Sequence, residues 1–108
     1  MKRDLKIDLL IIKSGSSLRE TISVIDQNTA GFCFVLQGEL LKGLVTDGDI
    51  RRSLLNGFNL DQKVDDMMET NFFFLRKGVS LLEIQIQLKK YEIIPIVDDS
   101  GKLVDFAT

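Results

Sequence analysis

The chain has 108 residues, 44% of them apolar and 28% charged, with a formal net charge of -2; this is the balance of a folded unit with a Leu, Ile, Val and Phe core, not of a disordered chain. It contains no histidine and one cysteine, Cys33, which excludes Ser-His-Asp and Cys-His nucleophile pairs, His-ligated zinc, thiolate metal cages and any intrachain disulfide. The opening Met1-Lys2-Arg3-Asp4 is charged and no basic block is long enough to follow a phosphate backbone, so neither a secretory signal, a membrane span nor a nucleic-acid partner is expected, and a reducing cytoplasm fits the cysteine count.

In chain order, the apolar run Leu9 to Ile12 reads as an extended lead-in. Ser17-Leu18-Arg19-Glu20 follows as a capping box, in which the serine oxygen accepts from a free helix N–H and the glutamate reaches back to the serine N–H. Leu18, Ile22 and Ile25 place an apolar stripe on one face of the helix it opens. Phe32 to Leu36 reads as a short strand, Gln37-Gly38-Glu39 as a hairpin turn, and Leu40 to Val45 as the returning strand, ending at Thr46. A helix begins near Gly48 and is broken by Gly57 and Asn59, and Val64 to Met68 reads as a short connecting helix.

The same order then recurs. Phe72 to Leu75 is a second extended lead-in, Ser80-Leu81-Leu82-Glu83 a second capping box, and Leu81, Leu82, Ile84 and Leu88 a second helical stripe. Ile93 to Val97, the turn Asp98-Asp99-Ser100-Gly101 and Lys102 to Ala107 form a second hairpin, again ending in threonine, Thr108. In this register Cys33 takes the place of Pro95. Each unit is a β-α-β-β pattern too small to bury both faces of its own sheet, so the two are expected to pack together.

The stretch Gly43-Leu44-Val45-Thr46-Asp47-Gly48-Asp49-Ile50-Arg51-Arg52 resembles the end of a CBS repeat, where a strand runs into a helix through a Thr-x-x-Asp motif. Ile94-Pro95-Ile96-Val97 with its Asp-Gly hairpin resembles the middle strand pair of a second such repeat. The resemblance covers nearly the whole chain. It implies an α+β fold of two tandem β-α-β-β-α repeats packed pseudo-symmetrically, residues 1–60 and 61–108, the second lacking its final helix. The departures are Asp105 where the first repeat has Gly43, and an end at Thr108 before a second aspartate; an excised piece of a longer enzyme is the expectation. The variant Thr-Asp-Gly-Asp-Ile-Arg-Arg is similar to CBS pairs attached to sugar-1-phosphate nucleotidyltransferases, whose pair lies N-terminal, and to those of arabinose 5-phosphate isomerases.

In CBS pairs the Thr-x-x-Asp motif holds the ribose of an adenine nucleotide, and the chemistry suits Thr46 and Asp49. A carboxylate accepts from both ribose hydroxyls with charge assistance, and the threonine hydroxyl reaches the sugar or a phosphate. Gly48 admits a close backbone approach, and Arg51, ahead of Arg52, offers a bidentate fork to phosphate. The base is expected between strands, against backbone of Lys13, Ser14, Phe32 and Cys33. The bland alternatives are that Asp47 and Asp49 only cap a helix, that Arg51 and Arg52 form a solvated face, and that Cys33 only packs. Gly43 to Gly48 has the glycine spacing of a P-loop, but Asp49-Ile50 stands where Lys-Ser/Thr is required, and Asp47-Gly48-Asp49 fails as a calcium loop at Arg51 and Phe58.

The expected function is therefore a non-catalytic regulatory module. It binds AMP, ADP or ATP, or a guanine nucleotide, at one site per chain, needs no obligatory cofactor or metal, forms a homodimer and biases an attached catalytic domain. The alternative is a ligand-free dimerisation scaffold.

Overall fold

The computed structural model describes residues 6–108, so the charged opening residues lie outside the described residues. A 3-10 turn at Ile7–Leu10 leads into β1 (Ile11–Lys13), α1 (Leu18–Asn28), β2 (Phe32–Gln37), β3 (Leu40–Thr46) and α2 (Asp47–Leu55). A linker with a 3-10 turn at Val64–Asp66 leads to β4 (Leu75–Arg76), α3 (Leu81–Gln87), β5 (Ile94–Val97) and β6 (Leu103–Ala107). The strands form two sheets of identical plan, β1-β2-β3 and β4-β5-β6, each with a parallel first pair and an antiparallel hairpin. The expected α+β repeat is thus present twice, the second time without a counterpart of α2 within these residues. No helix among the described residues is long and apolar enough to cross a membrane.

The two units match in detail. Gly15 and Gly78 close the turn after β1 and β4 at φ of +90° and +94°, a conformation that side chains with a Cβ rarely adopt. Both hairpins carry a register shift, between Val35 and Leu36 in one and between Ile96 and Val97 in the other. Superposing these two irregularities pairs Cys33 with Ile94 and Phe34 with Pro95. The sequence register that set Cys33 against Pro95 is off by one residue, because α3 and its exit are two residues shorter than α1 and hide the true alignment.

Local chemistry explains where the elements begin. Ser17 accepts from Glu20 N–H at 3.1 Å and Glu20 accepts from Ser17 N–H at 2.8 Å, a complete capping box. Ser80 makes only half of one: it accepts from Glu83 N–H at 3.1 Å, while the Glu83 carboxylate is taken by Gln87 at 2.7 Å. The extended lead-in expected from Leu9 is a 3-10 turn as far as Leu10, and Phe72 to Phe74 stay out of the sheet. Their aromatic rings pack instead: Phe72 meets Phe74 edge-on, and Phe73 stacks on Tyr91 with centroids 4.2 Å apart. The connecting helix is a single 3-10 turn.

The first sheet is apolar on both faces, and each face has a different cover. Ile12, Cys33, Val35 and Val45 point toward the helices, packing with Leu18, Ile25, Ile50 and Val64. Leu10, Phe32 and Phe34 point the other way, against Ile93, Leu103 and Phe106 of the second unit. Phe34 is fully buried, its ring 5.4 Å from Phe32 and 6.1 Å from Phe106. Main-chain bonds join the hairpin tips, Leu41 N–H to Gly101 O at 3.1 Å and Leu103 N–H to Glu39 O at 3.2 Å.

The linker docks on the first unit. Leu18 and Arg19, whose amides open α1, donate to Gln62 O and Leu60 O at 2.8 and 3.0 Å, which satisfies donors a helix start leaves free. Asp65 accepts from the Ser14 hydroxyl and, at 2.6 Å, from Gly15 N–H. Further on, Glu69 exchanges two main-chain bonds with Leu44 at 2.9 and 3.0 Å. This lays Met68 over Gly43, where an added Cβ would overlap the Met68 sulfur and Cγ. Gly43 is a glycine because the linker crosses it; its counterpart Asp105 is exposed.

Two outcomes follow. Gly43→Ala is expected to cost about 1–3 kcal/mol through overpacking, whereas Asp105→Ala stays within about 0.5 kcal/mol as a surface change; paired denaturant unfolding curves compare them. The Ser14 hydroxyl foremost, opposed by desolvation and aided by the Gly15 amide and Lys63, holds the Asp65 carboxyl below its usual value. Its stabilising contribution is then present above the unfolded pKa of about 3.9 and lost as pH falls through the lower folded value. Asp65→Asn should flatten the acid limb of a stability-versus-pH curve below about pH 5; an unchanged slope would mean the carboxylate does not anchor the linker.

Candidate functional site

The junction of β3 and α2 is built by a second complete capping box that doubles as the Thr-x-x-Asp motif. Thr46 Oγ1 accepts from Asp49 N–H at 3.2 Å and an Asp49 carboxylate oxygen accepts from Thr46 N–H at 3.0 Å. The other Asp49 oxygen accepts from Arg52 at 2.8 Å, one turn along the same helix. Asp47 N–H donates to Gly31 O at 2.9 Å, which ties the start of α2 to the turn that leads into β2. The reading of Thr46 and Asp49 as a helix cap and their reading as polar groups for a ligand describe the same atoms.

Thr46 and Gly48 line a cavity of about 560 Å³ between the two units, together with Thr29, Ala30, Gly31, Phe32 and Asp47. Glu92, Ile93 and Thr108 of the second unit close its other side. Its volume falls in the range of small-molecule sites, about 300–1,000 Å³. Thr46 and Thr108, the two strand-terminal threonines, face the same space. A second hollow of about 980 Å³ lies between α1 and α2, lined by Ile22, Ile25, Ile50, Leu54 and Leu55, with Asp26, Asp47 and Arg51 among its polar neighbours.

The expected site residues therefore separate. Thr46, Gly48 and Phe32 share the inter-unit cavity. Asp49 and Arg52 pair beside it, with Arg52 half exposed or more and Asp49 largely covered. Arg51 belongs to the hollow between the helices. Lys13 and Ser14 are not brought to the site: β1 runs parallel to β2, and Lys13 lies opposite Leu36, at the far end of the strand from Phe32. Ser14 is engaged there with Asp65. Cys33 presents its side chain to the helical core, fully buried, and burial pushes its thiol up to about 12; its neighbour Phe32 turns to the cavity.

Four contributors, Asn28, Thr29, Glu92 and Ile93, are not marked by the motifs of the sequence. Asn28, buried at the end of α1, donates to Leu9 O and Phe32 O, both at 3.1 Å, and accepts from Ala30 N–H at 2.8 Å. It fixes the turn whose residues floor the cavity, and an asparagine closing a helix is the signal that marks it. Thr29 follows in the left-handed conformation at φ 56°, rare for a β-branched residue. Glu92 and Ile93 reach the cavity only because the second unit packs against the first, which no local pattern displays.

Comparison with known proteins agrees with this architecture. Residues 1–56 and 64–108 each match the CBS domain family. The chain is 26% identical over 104 residues to arabinose 5-phosphate isomerase KdsD of Francisella tularensis, covering 94% of this chain and 32% of the isomerase. It is 33% identical over 104 residues to inosine-5'-monophosphate dehydrogenase of Chlorobaculum tepidum, covering 94% of this chain and 18% of the dehydrogenase. It thus spans a third or less of the length of these relatives. A CBS-domain protein of Pyrobaculum aerophilum, solved in complex with AMP, shares the fold at a TM-score of 0.79 and 13% identity, over 94% of this chain and 85% of that one. Two matched repeats on two sheets of one plan make the conclusion plain: the chain belongs to the CBS-domain family, as a tandem pair of CBS repeats.

Proposed function

We propose that this CBS pair is a non-catalytic regulatory module that binds an adenine nucleotide between its two repeats, with the ribose on Thr46 and Asp49. The observation that carries the reading is the position of that pair, at the start of α2 on the edge of a ligand-sized cavity closed by both repeats. A nucleotide there touches Phe32 and Gly48 of one repeat and Ile93 and Thr108 of the other. Its binding energy then depends on how the repeats sit together, which is the differential affinity a regulatory ligand requires. Within these residues the complete Thr-x-x-Asp motif occurs once, at Thr46 and Asp49. AMP in the related protein from Pyrobaculum aerophilum supports an adenine nucleotide, and guanine nucleotides are the natural comparison.

The host is proposed to be a sugar-phosphate enzyme located in the cytoplasm. The isomerase among the relatives favours an arabinose 5-phosphate isomerase-like catalytic domain; the nucleotidyltransferase host rests on the Thr-Asp-Gly-Asp-Ile-Arg-Arg resemblance alone. The hollow between α1 and α2, beside Leu55 at 80% exposure, is proposed to receive a second copy in a homodimer. A sedimentation series that finds a dimer indifferent to nucleotide, with no nucleotide bound, supports the scaffold reading instead.

Calorimetric titration with AMP, ADP, ATP and GMP tests the site. Wild type is expected to bind at least one adenine nucleotide, and Asp49→Ala to bind it at least about tenfold more weakly, the loss of charge-assisted hydrogen bonds. The same variant loses the bond from Thr46 N–H to Asp49, half of the capping box, at about 1 kcal/mol, which a parallel unfolding curve measures. Absence of binding to every nucleotide by the wild-type chain overturns the proposal.

A further inference from the structure

The inter-repeat cavity has the wrong charge for a nucleotide as it stands. Among the described residues its charged lining is Asp47 and Glu92, and none of the described lysines or arginines lines it. A phosphate placed there meets two carboxylates. The motif beside it is also occupied: Asp49 spends one oxygen on Thr46 N–H and the other on the Arg52 guanidinium. A ribose that donates to Asp49 takes the remaining lone pairs of this carboxylate and meets the Arg52 guanidinium at its second oxygen.

Arg52 is placed to resolve both problems at once. Its guanidinium lies across the first turn of α2 against the bare Cα of Gly48, where an added Cβ would be 3.1 Å from one terminal nitrogen and 3.4 Å from the other. Gly48 is itself a wall of the cavity. The cation therefore lies against a glycine that also borders the ligand space, held among the described residues by one carboxylate oxygen, with its side chain 64% exposed. A long, flexible and permanently charged side chain so held can turn toward a new anion, giving up an ion pair of about 0.2–1 kcal/mol.

We infer that Arg52 is the residue that selects a phosphorylated ligand over the bare nucleoside, by changing partner from Asp49 to phosphate when ribose arrives. This rests on the nucleotide-binding reading given above and adds the discrimination within it. A nucleotide replaces the Asp49–Arg52 pair with two contacts, ribose to Asp49 and guanidinium to phosphate. A nucleoside disturbs the pair and returns the guanidinium to water, with no new ionic contact to offset the one lost. Arg52 thus opposes the nucleoside and favours the nucleotide, whereas a residue that merely attracted phosphate would leave nucleoside binding untouched.

Titration of wild type, Arg52→Gln and Arg52→Lys with AMP and with adenosine separates these cases. Wild type is expected to prefer AMP by at least about tenfold. In Arg52→Gln the AMP affinity falls, the adenosine affinity rises, and the two come within about threefold of each other; Arg52→Lys, which keeps charge but loses the planar fork, falls between. The position is exposed, and thermal unfolding of each variant checks that the fold is retained. An Arg52→Gln chain whose AMP-to-adenosine ratio equals that of wild type overturns the Arg52 assignment while leaving nucleotide binding intact. So does a variant whose adenosine affinity does not rise. A wild-type chain that binds neither compound overturns the nucleotide reading and this inference together.

Discussion

The contact of Phe32 and Phe34 with Phe106 is the constraint on which the rest of the structure depends. A three-stranded sheet with apolar residues on both faces cannot stand alone in water, and α1 and α2 cover only one face of the first sheet. The second repeat supplies the other cover through the three rings and through Ile93 and Leu103. Burying aromatic rings of this size contributes several kcal/mol per side chain by the cost of their truncation, and it fixes how the repeats sit. The cavity follows from that packing. Thr46 and Thr108 face one space because the two sheets meet through these rings, so the interaction that stabilises the pair also shapes the site.

The second repeat shows the converse. α1 buries Leu18, Thr21, Ile25 and Asn28, while α3 buries none of its residues and leaves Leu81 and Leu82 at 71% and 66% exposure. The difference is not one of helix-forming tendency, since both helices open with a serine cap and carry an apolar stripe. α1 has α2 beside it and the linker at its start; α3 has neither within these residues. Packing, not local sequence, decides how much of an amphipathic face is buried.

Much of this was legible beforehand because it is written in short-range patterns. Ser17 and Glu20, the glycine turns and the paired hairpins are local, and they recur at almost constant spacing, so the repeat and its α+β plan could be read directly. The failures came where geometry is set at a distance. The sequence sets Lys13 and Ser14 beside Phe32 by resemblance, yet in a β-α-β-β unit the parallel strands start together. The end of β1 therefore lies beside the end of β2, away from the strand end that carries Thr46. That was deducible from topology alone. The matched bulges were not, and without them Cys33 aligned with Pro95 instead of Ile94. The acidic lining from Asp47 and Glu92 was hidden for the same reason, because it joins residues from different repeats.

The ties between the repeats have a mechanical consequence. Among the described residues, the main-chain bonds that join the two units directly lie at the hairpin tips, Leu41 to Gly101 and Leu103 to Glu39, with the Lys102–Glu39 ion pair beside them. The cavity lies at the opposite end of the strands. The pair is therefore built like a pair of tongs, riveted at the tips and closed at the jaws only by side chains. A molecule held in the jaws acts through a lever arm of one strand length, roughly 15–20 Å. A fraction of an ångström at the rivet becomes a larger displacement at Thr46 and Thr108, and α2, which starts at Thr46, carries that displacement outward.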